Sequence, residues 1–249
     1  MAGDGGGWLA SSPTVGISNY YSPWIFKQRA IEWVLSLIDN VIISPNLDFV
    51  WLTHGFGLRD SAIPPDLTTV RQVHSAIVLD ACGRRGEQIG EGDAIISTES
   101  GVTIGVRTAD CVPILLADTV NRTVACAHAG WRGTAANIIG ATVGRLEALG
   151  SRAADLHVAI GPSIGSCCYE VGADVARQFQ AWMDAPPSGW GEHTAVDLPK
   201  INEIQLREAG VGKIWISGEC TFCRPERFFS FRREKEQAGR MLSYIGTVV

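Results

Sequence analysis

The chain predicts a single mixed α/β domain of the α+β kind, with mixed, largely antiparallel sheets flanked by helices. Two observations point there. Short apolar runs bounded by Gly, Pro, Asn and Asp recur along the sequence, with stretches of helical signal between them. No internal repeat and no linker-like shift in composition divides the chain.

The elements follow in order. Residues 1–23 are rich in Gly, Ser, Pro and Tyr and read as a loose arm. Over 27–39, Ile31, Val34, Leu35 and Ile38 take the spacing of one helix face. The organisation expected is therefore an arm and helix over 1–45 and a main domain over 46–249. Strands are expected over 48–57 and, after the Pro64-Pro65 break, over 69–80. Three more follow at 102–107, 111–117 and 123–128. Gly130-Trp131-Arg132-Gly133 reads as a turn before a helix over 134–149 that stops at Gly150. A strand at 156–160, a helix at 173–183, a polar loop at 185–193, a helix at 200–209 and a strand at 213–217 come next. A strand or turn near 228–232 closes the series.

Composition narrows the function classes. Hydrophobic residues make up 46% of 249 positions, enough for a sizeable core and against disorder. A net charge of -5 argues against a nucleic-acid partner, since phosphate backbones select basic patches. The opening residues lack both a basic leader and an apolar stretch, and no apolar run approaches a membrane span. Seven irregularly spaced cysteines fit reduced thiols better than a disulfide framework. A cytoplasmic protein, monomeric or a small homo-oligomer, is the expectation.

Spacing also points to a metal. If residues 118–121 turn a hairpin and Ala117 opposes Arg122, counting back sets Cys111 opposite His128 on one face. A thiolate and an imidazole so placed can share one ion, and one bulge would separate them. For a third ligand, His54, His74, His157 and His193 all remain open. Gly130 and Gly133 would let a ligand approach the backbone at a helix start, and Arg132 could offer a bidentate fork to an anion.

The motifs carry a resemblance. Arg71-Gln72-Val73-His74-Ser75, Thr108-Ala109-Asp110-Cys111 with Pro113, and Ala127-His128-Ala129-Gly130-Trp131-Arg132-Gly133 stand in order. Gly161-Pro162-Ser163-Ile164-Gly165, Cys168-Tyr169-Glu170-Val171-Gly172, Cys220-Thr221, Phe228-Phe229-Ser230-Phe231-Arg232-Arg233 and Gly239-Arg240-Met241 follow. Over roughly residues 50 to 249 these resemble the laccase-domain, polyphenol oxidase-named family of purine nucleoside phosphorylases. The resemblance implies metal ligands at His74, Cys111 and His128, with Zn2+ as the cofactor and copper the weaker choice. It also implies purine nucleosides and phosphate as partners. The implied chemistry is phosphorolysis of adenosine, inosine and methylthioadenosine, with deamination of adenosine.

Three protein ligands leave an open position, as catalytic zinc sites do. Cys111 and His128 are accordingly the expected catalytic residues, with Asp110 as an orienting partner. Arg132, Gly130, Gly133 and, by its match to a family arginine, Arg59 are the expected phosphate ligands. Two departures stand out. Residues 58–70 are shorter than the family's corresponding insertion, so the 27–39 helix is expected to fill that space. Gln237-Ala238 stands where a Thr is more usual.

Other classes compete. Five histidines are too few for a trinuclear copper cluster plus a separate electron-transfer copper. A Cys111–His128 hydrolase or transferase without metal is a stronger rival, and a non-catalytic binding protein a third. No histidine is followed two places on by Glu, which excludes the zinc cytidine deaminases. Cys220-x-x-Cys223 lacks a second pair of suitable spacing, and adjacent Cys167-Cys168 is poorly arranged for one. These thiols are expected to pack beneath the sheet.

Overall fold

The computed structural model of the protein describes Met1, residues 40–184 and residues 193–248. The arm, the helix expected over 27–39 and nearly all of the 185–193 loop lie outside the described residues.

The chain order begins with β1 (Val41–Ile42), β2 (Leu52–Gly57), β3 (Leu67–Arg71), β4 (Val78–Asp80), β5 (Gln88–Glu91) and β6 (Ala94–Ser97). Next come β7 (Thr103–Thr108), β8 (Val112–Asp118), β9 (Val124–Ala129), and helices α1 (Trp131–Ala135) and α2 (Ile138–Ala148). Then follow β10 (Leu156–Ile160), β11 (Glu170–Val171), α3 (Ala173–Ala176), β12 (Thr194–Ala195) and α4 (Leu198–Glu208). The series ends with β13 (Lys213–Ile216), α5 (Phe231–Glu234) and β14 (Met241–Thr247).

One six-stranded sheet runs β1-β2-β14-β7-β3-β5 and a second runs β13-β10-β8-β9-β6-β4. Parallel pairs are β3 with β5 and β7, β4 with β6, and β10 with β13; the other pairings are antiparallel. The sheets are mixed and largely antiparallel, as the sequence pattern predicts.

Strand alternation divides the core in two. Leu115, Ala117, Val124, Cys126 and Ala159 of the second sheet meet Phe56, Ile104, Val106 and Ile245 of the first. On the opposite face, Val112, Ile114, Leu116, Ala125 and Ala127 meet Ile139, Val143 and Leu146 of α2 and Ile201 and Leu206 of α4. The second sheet is therefore buried on both faces, which is why β8 and β9 read as near-continuous apolar runs. Each such Leu, Ile or Val contributes roughly 1.5–3 kcal/mol on burial, so this sheet is a stiff platform. Among the described residues no helix is long and apolar enough to cross a membrane.

Several expected elements change. The single strand over 69–80 is two, β3 and β4, separated by a loop in which His74 takes a left-handed φ of 59. The Gly130–Gly133 turn is the first turn of a helix: Thr134 donates its amide to the Gly130 carbonyl at 2.8 Å. The helix over 134–149 is broken at Asn137, whose φ of 54 and side-chain cap on the Gly140 amide restart it as α2. The 173–183 helix is one short turn, α3, followed by a 3-10 turn over Arg177–Phe179. Residues near 228–232 form no strand; Ser230 caps α5 there.

Six strands escape the sequence pattern: the two-residue β1, β11 and β12 are too short to show one, and β5, β6 and β14 are longer. β5 and β6 lie where Gly90 and Gly92 blur the alternation. β14, buried throughout, sits between β2 and β7 at the middle of the first sheet. Its Gly246 is required by packing, since a Cβ there would stand 2.6 Å from the Thr103 hydroxyl.

Candidate metal centre

The β8–β9 hairpin turns one residue later than counted. Asp118 donates its amide to the Thr123 carbonyl at 2.8 Å, and its carboxylate accepts from the amides of Val120 (2.8 Å) and Asn121 (3.0 Å). Ala117 thus opposes Val124, and His128 opposes Pro113 instead of Cys111. The slip in pairing is two residues, an even number, so Cys111 and His128 keep the same face and meet diagonally. A slip of one would have parted them.

His74, Cys111 and His128 converge, with one donor atom from each lying within 4.8 Å of the others. The two imidazoles meet edge to face, with centroids 4.9 Å apart. His128 is buried, Cys111 half-buried and His74 exposed. Close approach depends on Gly130: a Cβ there would stand 3.0 Å from Cys111 Sγ and 3.1 Å from His74 Cδ2. Gly133 packs instead against the carbonyls of Ser75 and His128.

The sequence reading missed the residue that organises this centre. Asp93, fully buried between β5 and β6, holds His128 Nδ1 at 2.8 Å. It also accepts from the amides of Val73 (3.3 Å), His74 (3.0 Å) and Ser75 (2.6 Å) and from the Ser75 hydroxyl at 2.8 Å. One carboxylate therefore bends the His74 loop out of strand geometry and orients His128. The usable signal was an acid opening the buried run Ala94-Ile95-Ile96, where an ionised group needs several partners.

Electrostatics follow from these contacts. Burial would raise the Asp93 pKa, but the hydrogen bonds from His128 and Ser75 outweigh it and hold the group at about 2. Burial would lower the His128 pKa, and the bonds to Asp93 and Cys111 instead lift it to about 9. Burial opposes ionisation of Cys111 as well, yet the flanking His128 and His74 bring its thiol down to about 6. These shifts pair a Cys111 thiolate with a protonated His128; once an ion displaces that proton, one thiolate and two imidazoles are the donor set a borderline-soft divalent ion takes. These three residues fit a mononuclear metal with one side open.

That open side faces a cavity of about 730 Å³. Trp131, Tyr169 and Phe231 supply aromatic wall, while Arg107, Arg132, Lys235 and Arg240 supply cations. Arg132 is exposed and lies 4.3 Å above the Trp131 ring. Burial and the nearby Cys111 raise the Tyr169 phenol to about 12, so it keeps its proton at neutral pH.

Two expected site residues have other employment. Arg59 pairs with Glu234, donates to the Phe228 carbonyl at 3.2 Å and stacks 4.2 Å over Phe229, and it does not line the cavity. Asp110 lines the cavity wall, but its carboxylate accepts from Thr221 Oγ1 (2.6 Å), Ser230 Oγ (3.0 Å) and the Arg232 amide (2.6 Å). It ties three segments together, and the imidazole is oriented by Asp93.

The remaining histidines stand apart. The Ser44 amide donates to His54 Nε2 at 3.0 Å, His157 Nδ1 lies 3.1 Å from the Asn46 carbonyl, and His193 neighbours Glu170 at 3.9 Å. His74 is the third member by geometry as well as by motif.

Residues 58–248 match the family described as multi-copper polyphenol oxidoreductase laccase. The chain belongs to that family. Among similar members, the "Purine nucleoside phosphorylase" of Deinococcus radiodurans is 40% identical over 188 residues, 73% of this chain and 70% of its own. The "Purine nucleoside phosphorylase YfiH" of Escherichia coli K12 is 34% identical over 187 residues, 74% of each. The fold of this laccase-family chain is likewise similar to the crystal structure of YlmD from Geobacillus stearothermophilus. There the TM-score is 0.73 at 28% identity, covering 83% of this chain and 94% of that one.

Proposed function

We propose that the chain is a zinc-dependent purine nucleoside phosphorylase, acting on adenosine, inosine and methylthioadenosine, with adenosine deamination as a second activity. One observation carries the reading. A thiol and two imidazoles with an open side form the floor of a cavity whose walls combine aromatic surface for a base with cations for phosphate. The name purine nucleoside phosphorylase, borne by similar family members, supports the phosphorylase part of the reading.

His74, Cys111 and His128 would hold the ion, and an ion so held supplies Lewis-acid polarisation of an oxygen. The chain's own residues do the rest. Trp131, Tyr169 and Phe231 enclose the purine. Arg132, with Arg107, Lys235 and Arg240 lining the same cavity, holds phosphate against the sugar, so that charge repulsion does not set its approach. A phosphate oxygen bonds to the anomeric carbon as the carbon–N9 bond breaks, and the electron pair leaves with the purine. Tyr169 Oη keeps its proton and donates to the departing base.

Incubation with adenosine, with and without phosphate, tests the proposal by its products. Adenine with ribose 1-phosphate, formed only with phosphate, supports phosphorolysis; inosine supports deamination. No product from adenosine, inosine or methylthioadenosine rejects the reading.

The Asp93–His128–Cys111 relay favours a second reading, a metal-independent Cys–His hydrolase or transferase. In metal-free protein a thiol titrating at about 6 is ionised above that pH, so Cys111 alkylation should reach its plateau well below the pH of an ordinary thiol. Activity that survives complete chelation and dies on alkylation would select this reading.

A further inference from the structure

The thiols expected beneath the sheet form a second cluster. Cys167, Cys168, Cys220 and Cys223 bring their sulfurs within 4.8 Å of one another. Cys223 Sγ lies 3.7 Å from Cys167 Sγ and 3.4 Å from Cys168 Sγ. The packed thiol is a different residue, Cys126, which is fully buried among apolar side chains.

Parallel neighbours explain the meeting. β10 and β13 run side by side in register, so the loops after Ile160 and Ile216 leave the same end of the sheet. Those loops are laced together. Ser163 takes the Thr221 amide at 3.0 Å, Glu219 takes the Ser163 amide at 3.2 Å, and Ser163 bridges Cys220. A turn closed by the Cys168 and Tyr169 amides on the Gly165 carbonyl presents both adjacent cysteines. Arg233 donates to the carbonyls of Thr221 (3.0 Å) and Phe222 (2.7 Å), holding the turn between Cys220 and Cys223.

We propose that these four cysteines form a second, closed zinc site, separate from the His74–Cys111–His128 centre. Four sulfurs at tetrahedral corners around an ion with bonds of ~2.3 Å stand about 3.8 Å apart, close to the separations here. The Gly165 amide donates to Cys220 Sγ at 3.3 Å, the kind of bond that settles a metal-held thiolate. Four ionised thiols this close repel one another, and a divalent cation removes that cost as it displaces their protons. All four positions are protein sulfur, so the site is structural. Its effect is on shape: the same loops carry Tyr169 into the cavity wall and Thr221 onto Asp110.

Metal analysis of protein prepared under reductant should give two zinc ions per chain. The His74→Ala/Cys111→Ser variant should keep one, and Cys220→Ser/Cys223→Ser should keep the other. Cobalt substituted into the first variant should show an intense thiolate charge-transfer band. Because the second variant can fail to fold, alkylation of the wild type with peptide mapping is the companion measurement. Zinc should protect all four cysteines together, and a chelator should expose them. The proposal is overturned if His74→Ala/Cys111→Ser binds no zinc, if the four thiols react equally with and without zinc, or if they are found paired as disulfides. Loss of zinc from the His74 centre alone leaves it standing.

Discussion

The two donor clusters differ in what carries them, strand β9 with two sheet-to-sheet loops against two loops leaving one sheet, and in what surrounds them. The His74–Cys111–His128 centre opens on a cavity and depends on a buried carboxylate, Asp93, to orient its parts. The four-cysteine cluster has no carboxylate in it, uses only sulfur and is held by backbone hydrogen bonds between two loops. An open position beside aromatic and cationic walls serves chemistry, whereas four thiols drawn together by adjacent parallel strands serve shape.

That contrast can be broken by substitution. Removing ligands from the open centre should have the largest effect. His74→Ala or Cys111→Ser should lower phosphorolysis more than about a hundredfold, and turnover within a few-fold of wild type would end the distinction. Asp93→Asn keeps the shape and removes the charge that holds His128. Metal affinity or activity should fall about 10–100-fold, the usual cost of losing an orienting partner. An unchanged zinc dissociation constant would show that the carboxylate only shapes the His74 loop.

Smaller effects sharpen the comparison. Arg132→Ala should raise the phosphate KM roughly tenfold, the low end for loss of a charged hydrogen bond worth ~1.5–3 kcal/mol, because the side chain is exposed. Arg59→Ala should leave that KM unchanged, and a shared rise would return Arg59 to the phosphate site. Cys220→Ser/Cys223→Ser should act on stability more than chemistry. A loss of about 2–3 kcal/mol would lower Tm by roughly 5–10 °C in a domain of this size. Calorimetry showing no change would remove the cluster's structural role. Arg59→Ala should cost least, about 1 kcal/mol or under for its half-exposed pair with Glu234.

Legibility followed the range of each interaction. β10 and β13 were readable because a short apolar run with turn residues at its ends is a local pattern. β14 was not, since Ser243 and Gly246 interrupt its pattern and only its neighbours β2 and β7 account for its burial. The hairpin count missed the register by two and still paired the right face, because side-chain direction repeats every second residue.

Local patterning in the chain determined the mixed sheets and the family motifs and pointed to Cys111 and His128, while His74 came from the family resemblance alone. Only the folded molecule decided that Asp93 binds both the His74 loop and His128, that Arg59 turns away to Glu234, and that two cysteine pairs far apart in sequence share one corner. The reason is physical: residue type and spacing set direction along a strand, but partners more than a hairpin apart are chosen by which strands lie side by side and by what a buried charge must find there.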